Sequence, residues 1–226
     1  MKRLREPNSK AALRFYRCVR VLVVAFSVRP WRVKVLGSSN IPNVGGVILA
    51  PSHRSMLDIT WTSAITPRRI RFMGKDTLFD VPILGWCFSA LGGFAVARDG
   101  SDRAPLRDSL EILGNGEVLA VYPEGTRQRG PLIQELQPGV AWLAIKAQVP
   151  IVPIAIAGSQ EPFRSGRFVP QFGRGIMLIG PPIIPPVPKG TVVKRELVDQ
   201  LTAQLKAELQ RLFDEAYTIR ASNSQG

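Results

Sequence analysis

Five short apolar runs, bounded by glycine or proline, constrain the fold of this 226-residue chain more than any other feature. Runs of this length between chain-turning residues are typical of strands that are buried in a sheet. They are Gly46–Ser52, Gly93–Arg98, Glu117–Gly125, Val149–Gly158 and Ile176–Gly180, and the helical segments between them are Ser55–Ile65, Arg103–Leu113 and Gly139–Ala147. The alternation predicts an α/β fold, a single domain with a mixed β-sheet covered by helices.

The last part of the chain predicts one long helix. Between Val192 and Arg220, apolar side chains recur every three or four residues, which is the spacing of one helical face. They are Leu197, Leu201, Leu205, Leu209, Leu212 and Phe213. We therefore expect an N-terminal segment at 1–32, a core at 33–190 that ends in a stiff proline-rich linker, a docking helix at 191–220 and a disordered tail at 221–226.

Basic residues precede an apolar run near the N-terminus. The run Val21–Val28 is too short to cross a bilayer as a helix, which takes about 20 residues. A basic helix of this kind can lie in a membrane interface with its arginines toward lipid phosphates, or it can pack on the protein's own core. The pattern leaves both interpretations open. The formal net charge of +13 indicates an anionic partner in either case.

The two cysteines do not indicate a metal or a disulfide framework. Cys18 and Cys87 lie far apart in the sequence and outside any C-x-x-C spacing. We predict neither a metal nor another cofactor.

The segment Pro51–Asp58, PSHRSMLD, contains the only histidine in the chain. Ser55 and Asp58 fit a helix N-terminal cap, in which Asp58 has a structural role. The same geometry folds Asp58 back toward His53, so that its carboxylate can orient one ring nitrogen while the other faces a cleft. Histidine suits proton abstraction because its unperturbed pKa is about 6.5. The two roles of Asp58 are compatible.

A second polar segment, PEGTR at 123–127, ends a predicted strand. Gly125 permits a tight turn, Thr126 can donate a hydrogen bond, and Arg127 can bind a phosphate or carboxylate through two parallel bonds. Lys75 and Arg98 add cations among apolar and aromatic residues, a mixture that suits a ligand with a phosphate and an acyl chain. Each feature alone is compatible with an ordinary polar turn or a solvated cation.

Taken together, these segments resemble the glycerolipid acyltransferase family, which comprises the lysophosphatidic acid acyltransferases and their glycerol-3-phosphate acyltransferase relatives. The blocks SHRSMLD, GGFAVAR, PEGTR and VPIVPIAIAG occur in family order between about Val35 and Gly158. The resemblance implies that His53 is the general base and Asp58 its partner. It also implies substrate contacts at Lys75, Arg98, Glu124, Gly125, Thr126 and Arg127. Ala95 and Gln137 depart from the family pattern, which leaves the identity of the acceptor open.

The reaction that the resemblance implies is acyl transfer from acyl-CoA or acyl-carrier protein to the free hydroxyl of 1-acylglycerol-3-phosphate, giving phosphatidic acid. Glycerol-3-phosphate and other lysolipids are alternative acceptors. A serine hydrolase is a poorer match because the sequence has no G-x-S-x-G segment. A non-catalytic basic module would explain the charge but not the four blocks, and no nucleic-acid-binding motif is present. We expect a peripheral enzyme on the cytoplasmic face of an anionic cell membrane, with no nucleic-acid partner.

Overall fold

The computed structural model describes residues 10–75, 82–96, 104–160, 173–186 and 192–222, and these residues form a seven-stranded sheet. The strands are β1 (Lys34–Leu36), β2 (Val47–Pro51), β3 (Ile70–Lys75), β4 (Gly93–Val96), β5 (Val118–Ala120), β6 (Ile151–Ala157) and β7 (Ile176–Ile179). Their order in the sheet is β1-β7-β6-β2-β5-β3-β4. Neighbouring strands are parallel except for β6 and β7, which are antiparallel. The predicted mixed sheet is confirmed.

Helices cover both faces of this sheet. They are α1 (Lys10–Val23), α2 (Leu57–Ala64), α3 (Pro82–Ala90), α4 (Ala104–Gly114), α5 (Gly139–Ala147) and α6 (Arg195–Ser222). Side chains of α4, α5 and α6 form one hydrophobic core, and Trp61 of α2 and Ile65, which follows that helix, join Trp31 in the other. The sheet separates the two cores, so the α/β architecture with covering helices is also confirmed.

Strand β2 shows why its sequence is a continuous apolar run. Ile48 and Ala50 face the core beneath α4, α5 and α6, whereas Val47 and Leu49 face the opposite core. All four residues are fully buried. A parallel strand in the middle of a sheet buries both of its faces, and alternation of polar and apolar residues is therefore not needed.

Three elements were absent from the expectations: β1, β3 and α3. Strand β3 contains a cation, Arg71. This residue is fully buried, and its Nη1 atom lies 3.6 Å from a carboxylate oxygen of Glu117. Tertiary pairing satisfies that charge, which local hydrophobicity cannot anticipate. Helix α6 continues to Ser222, beyond the predicted boundary at Arg220.

The N-terminal segment packs on the protein along one side. Helix α1 leads into a π-helical turn at Val24–Val28, and the indole of Trp61 donates a 2.8 Å hydrogen bond to the carbonyl oxygen of Ser27. Tyr16 is buried, whereas Phe26 is 73% exposed. The apolar side chains of this segment that face solvent are Leu13, Val21, Leu22 and Phe26. None of the helices in the described ranges is long and apolar enough to cross a membrane.

The topology creates a crevice at the carboxyl ends of three neighbouring parallel strands, β6, β2 and β5. The chain leaving β2 enters α2 on one face of the sheet, while the chain leaving β5 leads to α5 on the other face. Connections that diverge in this way leave an opening between them, the usual place for a ligand in an open α/β sheet. His53 follows β2 and Glu124 follows β5 at this opening.

Candidate active site

His53 and Asp58 meet as the sequence predicts. Nδ1 of His53 lies 3.0 Å from Oδ2 of Asp58, whose side chain is fully buried, while the His53 side chain is 12% exposed. A carboxylate at Nδ1 fixes the ring tautomer with a proton on that nitrogen, so Nε2 has a free lone pair. The pair can therefore accept a proton from a group that approaches Nε2.

The carboxylate of Asp58 also organises the loop before α2. The backbone N–H groups of Arg54 and Ser55 both donate to Oδ2 at 2.6 Å. The predicted capping box forms only in part, because Ser55 Oγ accepts from the N–H of Leu57 at 3.3 Å rather than from that of Asp58. Asp58 thus makes contacts of both kinds: it accepts from the backbone of the loop and it hydrogen-bonds to the histidine.

Tyr122 covers the imidazole ring, a contact that the sequence did not predict. The ring centroids of His53 and Tyr122 lie 4.2 Å apart, and the planes are inclined by 32°. The phenol donates to Oγ1 of Thr62 at 3.4 Å. Burial raises the pKa of Tyr122, and the nearby Asp58 carboxylate raises it further. The phenol is consequently neutral at physiological pH and presents an aromatic wall to the histidine.

The PEGTR segment is bound directly to the backbone of the histidine. Gln128 N–H donates to the carbonyl oxygen of His53 at 2.8 Å, and His53 N–H donates to Oε1 of Glu124 at 3.1 Å. Gly125 adopts a φ of 73°, a left-handed conformation in which glycine is favoured. The turn therefore needs a glycine at this position, and it holds two motifs that are distant in sequence as one unit.

Glu124 is buried within the protein. Its carboxylate accepts from Nη1 of Arg54 at 2.8 and 2.9 Å and from the N–H of Gln134 at 3.1 Å. Neither the guanidinium of Arg54 nor the carboxylate of Glu124 has appreciable exposure, at 1% and 0% of the side chains. This geometry differs from the substrate contact that the resemblance implied for Glu124, since its oxygens are directed to protein groups.

A cavity of about 780 Å³ opens beside the histidine loop. Its lining is Arg54, Ser55, Met56, Arg127, Arg129, Gly130 and Gln160. Arg127 was predicted and Arg129 was missed, although both are exposed cations in one short turn. Two exposed guanidinium groups in the lining of a cavity suit a phosphate-bearing ligand. The sequence feature that could have identified Arg129 is its position two residues after Arg127.

The remaining predicted residues have different positions. Gly125 and Thr126 are exposed in the turn and do not line this cavity. Lys75 is the last residue of β3, paired with Val96 of β4, and Arg98 lies outside the described residues. No group of three or more potential metal ligands occurs in the described part of the chain.

Comparisons with known proteins show which family the chain resembles. The family model described as Acyltransferase matches residues 32–157. A 1-acyl-sn-glycerol-3-phosphate acyltransferase of Bacillus subtilis is 29% identical over 74% of this chain and 80% of its own length. The chloroplast 1-acyl-sn-glycerol-3-phosphate acyltransferase LPAT1 of Arabidopsis thaliana is 27% identical over 73% of this chain, but the match covers only 45% of the plant protein.

A solved structure is similar across most of the fold. It is the 1-acyl-sn-glycerophosphate (LPA) acyltransferase PlsC of Thermotoga maritima, with a TM-score of 0.68 and 26% identity. The similarity covers 92% of this chain and 85% of that one. The family match spans the sheet from β1 to β6 and includes both His53 and the PEGTR segment. On these findings, the chain belongs to the acyltransferase family and is an acyltransferase enzyme.

Proposed function

We propose that this enzyme transfers an acyl group from acyl-CoA or acyl-carrier protein to the free hydroxyl of lysophosphatidic acid, giving phosphatidic acid. The observation that carries the proposal is the His53–Asp58 hydrogen bond beside a cavity that the exposed side chains Arg127 and Arg129 line. The printed names of the bacterial and plant relatives support the same acceptor. His53 and Asp58 are the proposed catalytic residues.

In the proposed mechanism, Nε2 of His53 takes the proton of the acceptor hydroxyl as its oxygen attacks the thioester carbonyl. A carbon–oxygen bond forms, the carbon–sulfur bond breaks, and the departing thiolate receives the proton from the imidazolium. Asp58 stabilises the imidazolium and keeps the ring in position. No covalent acyl-enzyme is needed, because the activated acceptor attacks the donor directly.

The acceptor phosphate is proposed to bind Arg127 and Arg129. Both guanidinium groups are exposed and line the cavity that Ser55 and Met56 also border. A phosphate held there is anchored to the same turn that bonds to the His53 backbone, so binding and proton transfer share one rigid frame. Further substrate contacts are proposed at Lys75, Arg98, Gly125 and Thr126.

The enzyme is also proposed to bind the cytoplasmic face of an anionic membrane as a peripheral protein. Val21, Leu22 and Phe26 are exposed on the N-terminal segment, and the cations Arg14 and Arg17 are exposed on the same helix. Apolar side chains next to cations are typical of an interfacial helix. This location suits an acceptor and a product that are both lipids.

The test is a crossed activity assay with purified protein. Lysophosphatidic acid and glycerol-3-phosphate are each combined with acyl-CoA and with acyl-carrier protein, and the lipid product is identified by mass spectrometry. We expect phosphatidic acid from lysophosphatidic acid with at least one donor, and no turnover above background for His53→Ala. Acylation of glycerol-3-phosphate alone would replace the proposed acceptor, and full activity of a folded His53→Ala variant would overturn the mechanism.

A further inference from the structure

Arg54, the residue that follows His53, carries a buried guanidinium with four hydrogen bonds. Nη1 donates to both carboxylate oxygens of Glu124, at 2.8 and 2.9 Å, and to the carbonyl oxygen of His53 at 3.1 Å. Nη2 donates to the carbonyl oxygen of Leu132 at 3.1 Å. One side chain therefore connects the histidine loop, the PEGTR turn and the segment that follows it.

Burial of this ion pair is not explained by stability alone. Taking two charges out of water is costly, and well-packed apolar residues often stabilise a core equally well. Nε of Arg54 is also buried without a hydrogen-bond partner among the described residues. A charged pair at such a place is more readily explained by the geometry that it imposes on its neighbours.

That geometry concerns the backbone of His53. Glu124 accepts from the N–H of His53. The carbonyl oxygen of His53 accepts from Nη1 of Arg54 and from the N–H of Gln128. Both main-chain polar groups of the histidine are therefore held by Arg54 or by residues 124–128. A shift of Arg54 would move the histidine relative to Arg127, which lies in the PEGTR turn.

The C-terminal helix supports Arg54 from the other side. The guanidinium carbon of Arg54 lies 4.8 Å from the centroid of the Phe213 ring, a cation–π distance. Gln210, also on α6, accepts from the N–H of Ile133 at 2.8 Å and donates to the carbonyl oxygen of Pro131 at 3.2 Å. Gln210 thus holds the segment whose Leu132 carbonyl receives Arg54.

We propose that Arg54 is a positioning residue that couples α6 to the catalytic histidine through the Glu124 ion pair. The inference rests on the proposed function of His53. It extends the site beyond residues 32–157, where the family match ends, because Gln210 and Phe213 belong to α6. Glu124 then acts through the His53 backbone and makes no contact with the substrate.

The test combines two variants with a matched control. Arg54→Lys keeps the charge but loses the planar fork, and Phe213→Leu removes the ring over Arg54 while keeping an apolar side chain. Leu201→Ala is the control, because Leu201 is also buried on α6 but lies about 18 Å earlier along the helix axis. Thermal unfolding is measured for every variant, and kinetics are recorded well below the lowest midpoint.

Two readouts separate positioning from substrate binding. For Arg54→Lys, kcat should fall about 10- to 100-fold, the usual effect of a small displacement of a catalytic group, with the KM for lysophosphatidic acid within about threefold. Phe213→Leu should show a smaller loss in kcat, and Leu201→Ala none. The second readout is the NMR signal of the ring C–H groups of His53. The chain has one histidine, so tag-free protein gives an unambiguous assignment.

The NMR signal should shift in Arg54→Lys and in Phe213→Leu but keep its wild-type position in Leu201→Ala. A raised KM with an unchanged kcat would overturn the proposal, because Arg54 also lines the cavity and would then be a phosphate contact. An unchanged NMR signal in both site variants would overturn it as well. If wild-type protein acylated no acceptor, the proposed function would fail, and the NMR comparison would still decide whether Arg54 positions the histidine.

Discussion

The histidine site and the N-terminal segment use polarity in opposite ways. At the site, Asp58 and the Arg54–Glu124 pair are buried and have protein partners at hydrogen-bond distance. In the N-terminal segment, Phe26 and Val21 are 73% and 67% exposed. Buried charges cost free energy and are kept where they hold a geometry, whereas exposed apolar groups suit contact with a surface that is itself apolar. The site thus keeps its charged groups inside the protein, whereas the N-terminal segment keeps apolar groups at the surface, where we propose that they contact a membrane.

The largest expected effect tests whether the buried polar groups are catalytic. His53→Ala should lower kcat by about 10²- to 10⁴-fold, the range for loss of a general base, while the fold stays intact. Asp58→Asn should cause a loss of similar order because the ring is no longer held against a charge. The measurement is steady-state kinetics together with circular dichroism. A folded His53→Ala variant that retains activity would show that the buried histidine site is not catalytic.

Asp58→Ala should in addition destabilise the protein, by about 1–3 kcal/mol. The N–H groups of Arg54 and Ser55 lose their common acceptor, and an unsatisfied buried donor has a cost of this size. Urea unfolding of Asp58→Ala and Asp58→Asn compares the two changes. Equal stability of the two variants would show that the backbone bonds to Asp58 are dispensable.

The next effect tests whether the exposed cations of the cavity bind substrate, in contrast to the buried charged groups around His53. Arg127→Lys should raise the KM for the phosphorylated acceptor about tenfold, because lysine is a point charge and cannot form two parallel bonds to a phosphate. The KM for the acyl donor should not change. Arg195→Lys is the control, since Arg195 is 91% exposed on α6. A change confined to the donor KM would reassign Arg127 to the donor's phosphates.

A smaller effect concerns Tyr122, whose ring covers the histidine. Tyr122→Phe keeps this contact, so kcat should stay within about threefold of wild type, whereas Tyr122→Leu should lower kcat more. The pKa of Tyr122 is raised in the folded state, chiefly by burial. Its contribution to stability is therefore complete below the ordinary tyrosine pKa of about 10 and is lost as the pH rises above it.

The free energy of unfolding, measured by urea denaturation at pH 8 and pH 11, checks the sign. Wild-type protein should lose more stability between these pH values than Tyr122→Phe, which has no phenol to ionise. An equal loss in the two proteins would mean that the hydroxyl of Tyr122 makes no contribution to the alkaline sensitivity. The loss of stability between pH 8 and pH 11 would then have to come from other buried groups such as Tyr16, whose pKa burial also raises.

The smallest effect on chemistry should come from the N-terminal segment. The double change Val21→Asn and Phe26→Asn should weaken binding to anionic vesicles about tenfold, by removing exposed apolar contacts, and leave kcat unchanged with a water-soluble short-chain acceptor. Vesicle flotation at increasing salt provides the measurement, and binding of wild-type protein should weaken as salt rises. Val44→Asn is the matched control because Val44 is 82% exposed in another loop. Equal loss of binding in the control would remove the N-terminal segment's special role.

Much of the fold could be predicted from the sequence because its central strands are locally distinctive. β2 and β6 are continuous apolar runs, and α6 repeats leucine with helical spacing. By contrast, β3 carries Arg71, whose charge is balanced by Glu117 from a different part of the chain. Residues 70–75 were therefore not among the apolar runs that predicted strands.

The residues of the site also differ in whether they could be predicted from the sequence. His53 and Asp58 are five positions apart, so a loop leading into a helix can bring them within hydrogen-bond distance. The spacing in PSHRSMLD predicted that the two side chains could meet, and the PEGTR segment and the resemblance were needed to assign them a catalytic role. Arg54 and Phe213 are separated by 159 positions, and no local pattern connects them.

What the sequence determined by itself is thus the set of local arrangements: apolar runs that become strands, a leucine stripe that becomes a helix, and a histidine with its carboxylate. What only the tertiary structure decided is which distant groups share a buried space, such as Glu124 with Arg54 or Tyr122 with His53. The physical reason is range. Backbone geometry and side-chain spacing act over a few residues, whereas the partner of a buried charge or ring depends on how the strands are ordered in the sheet.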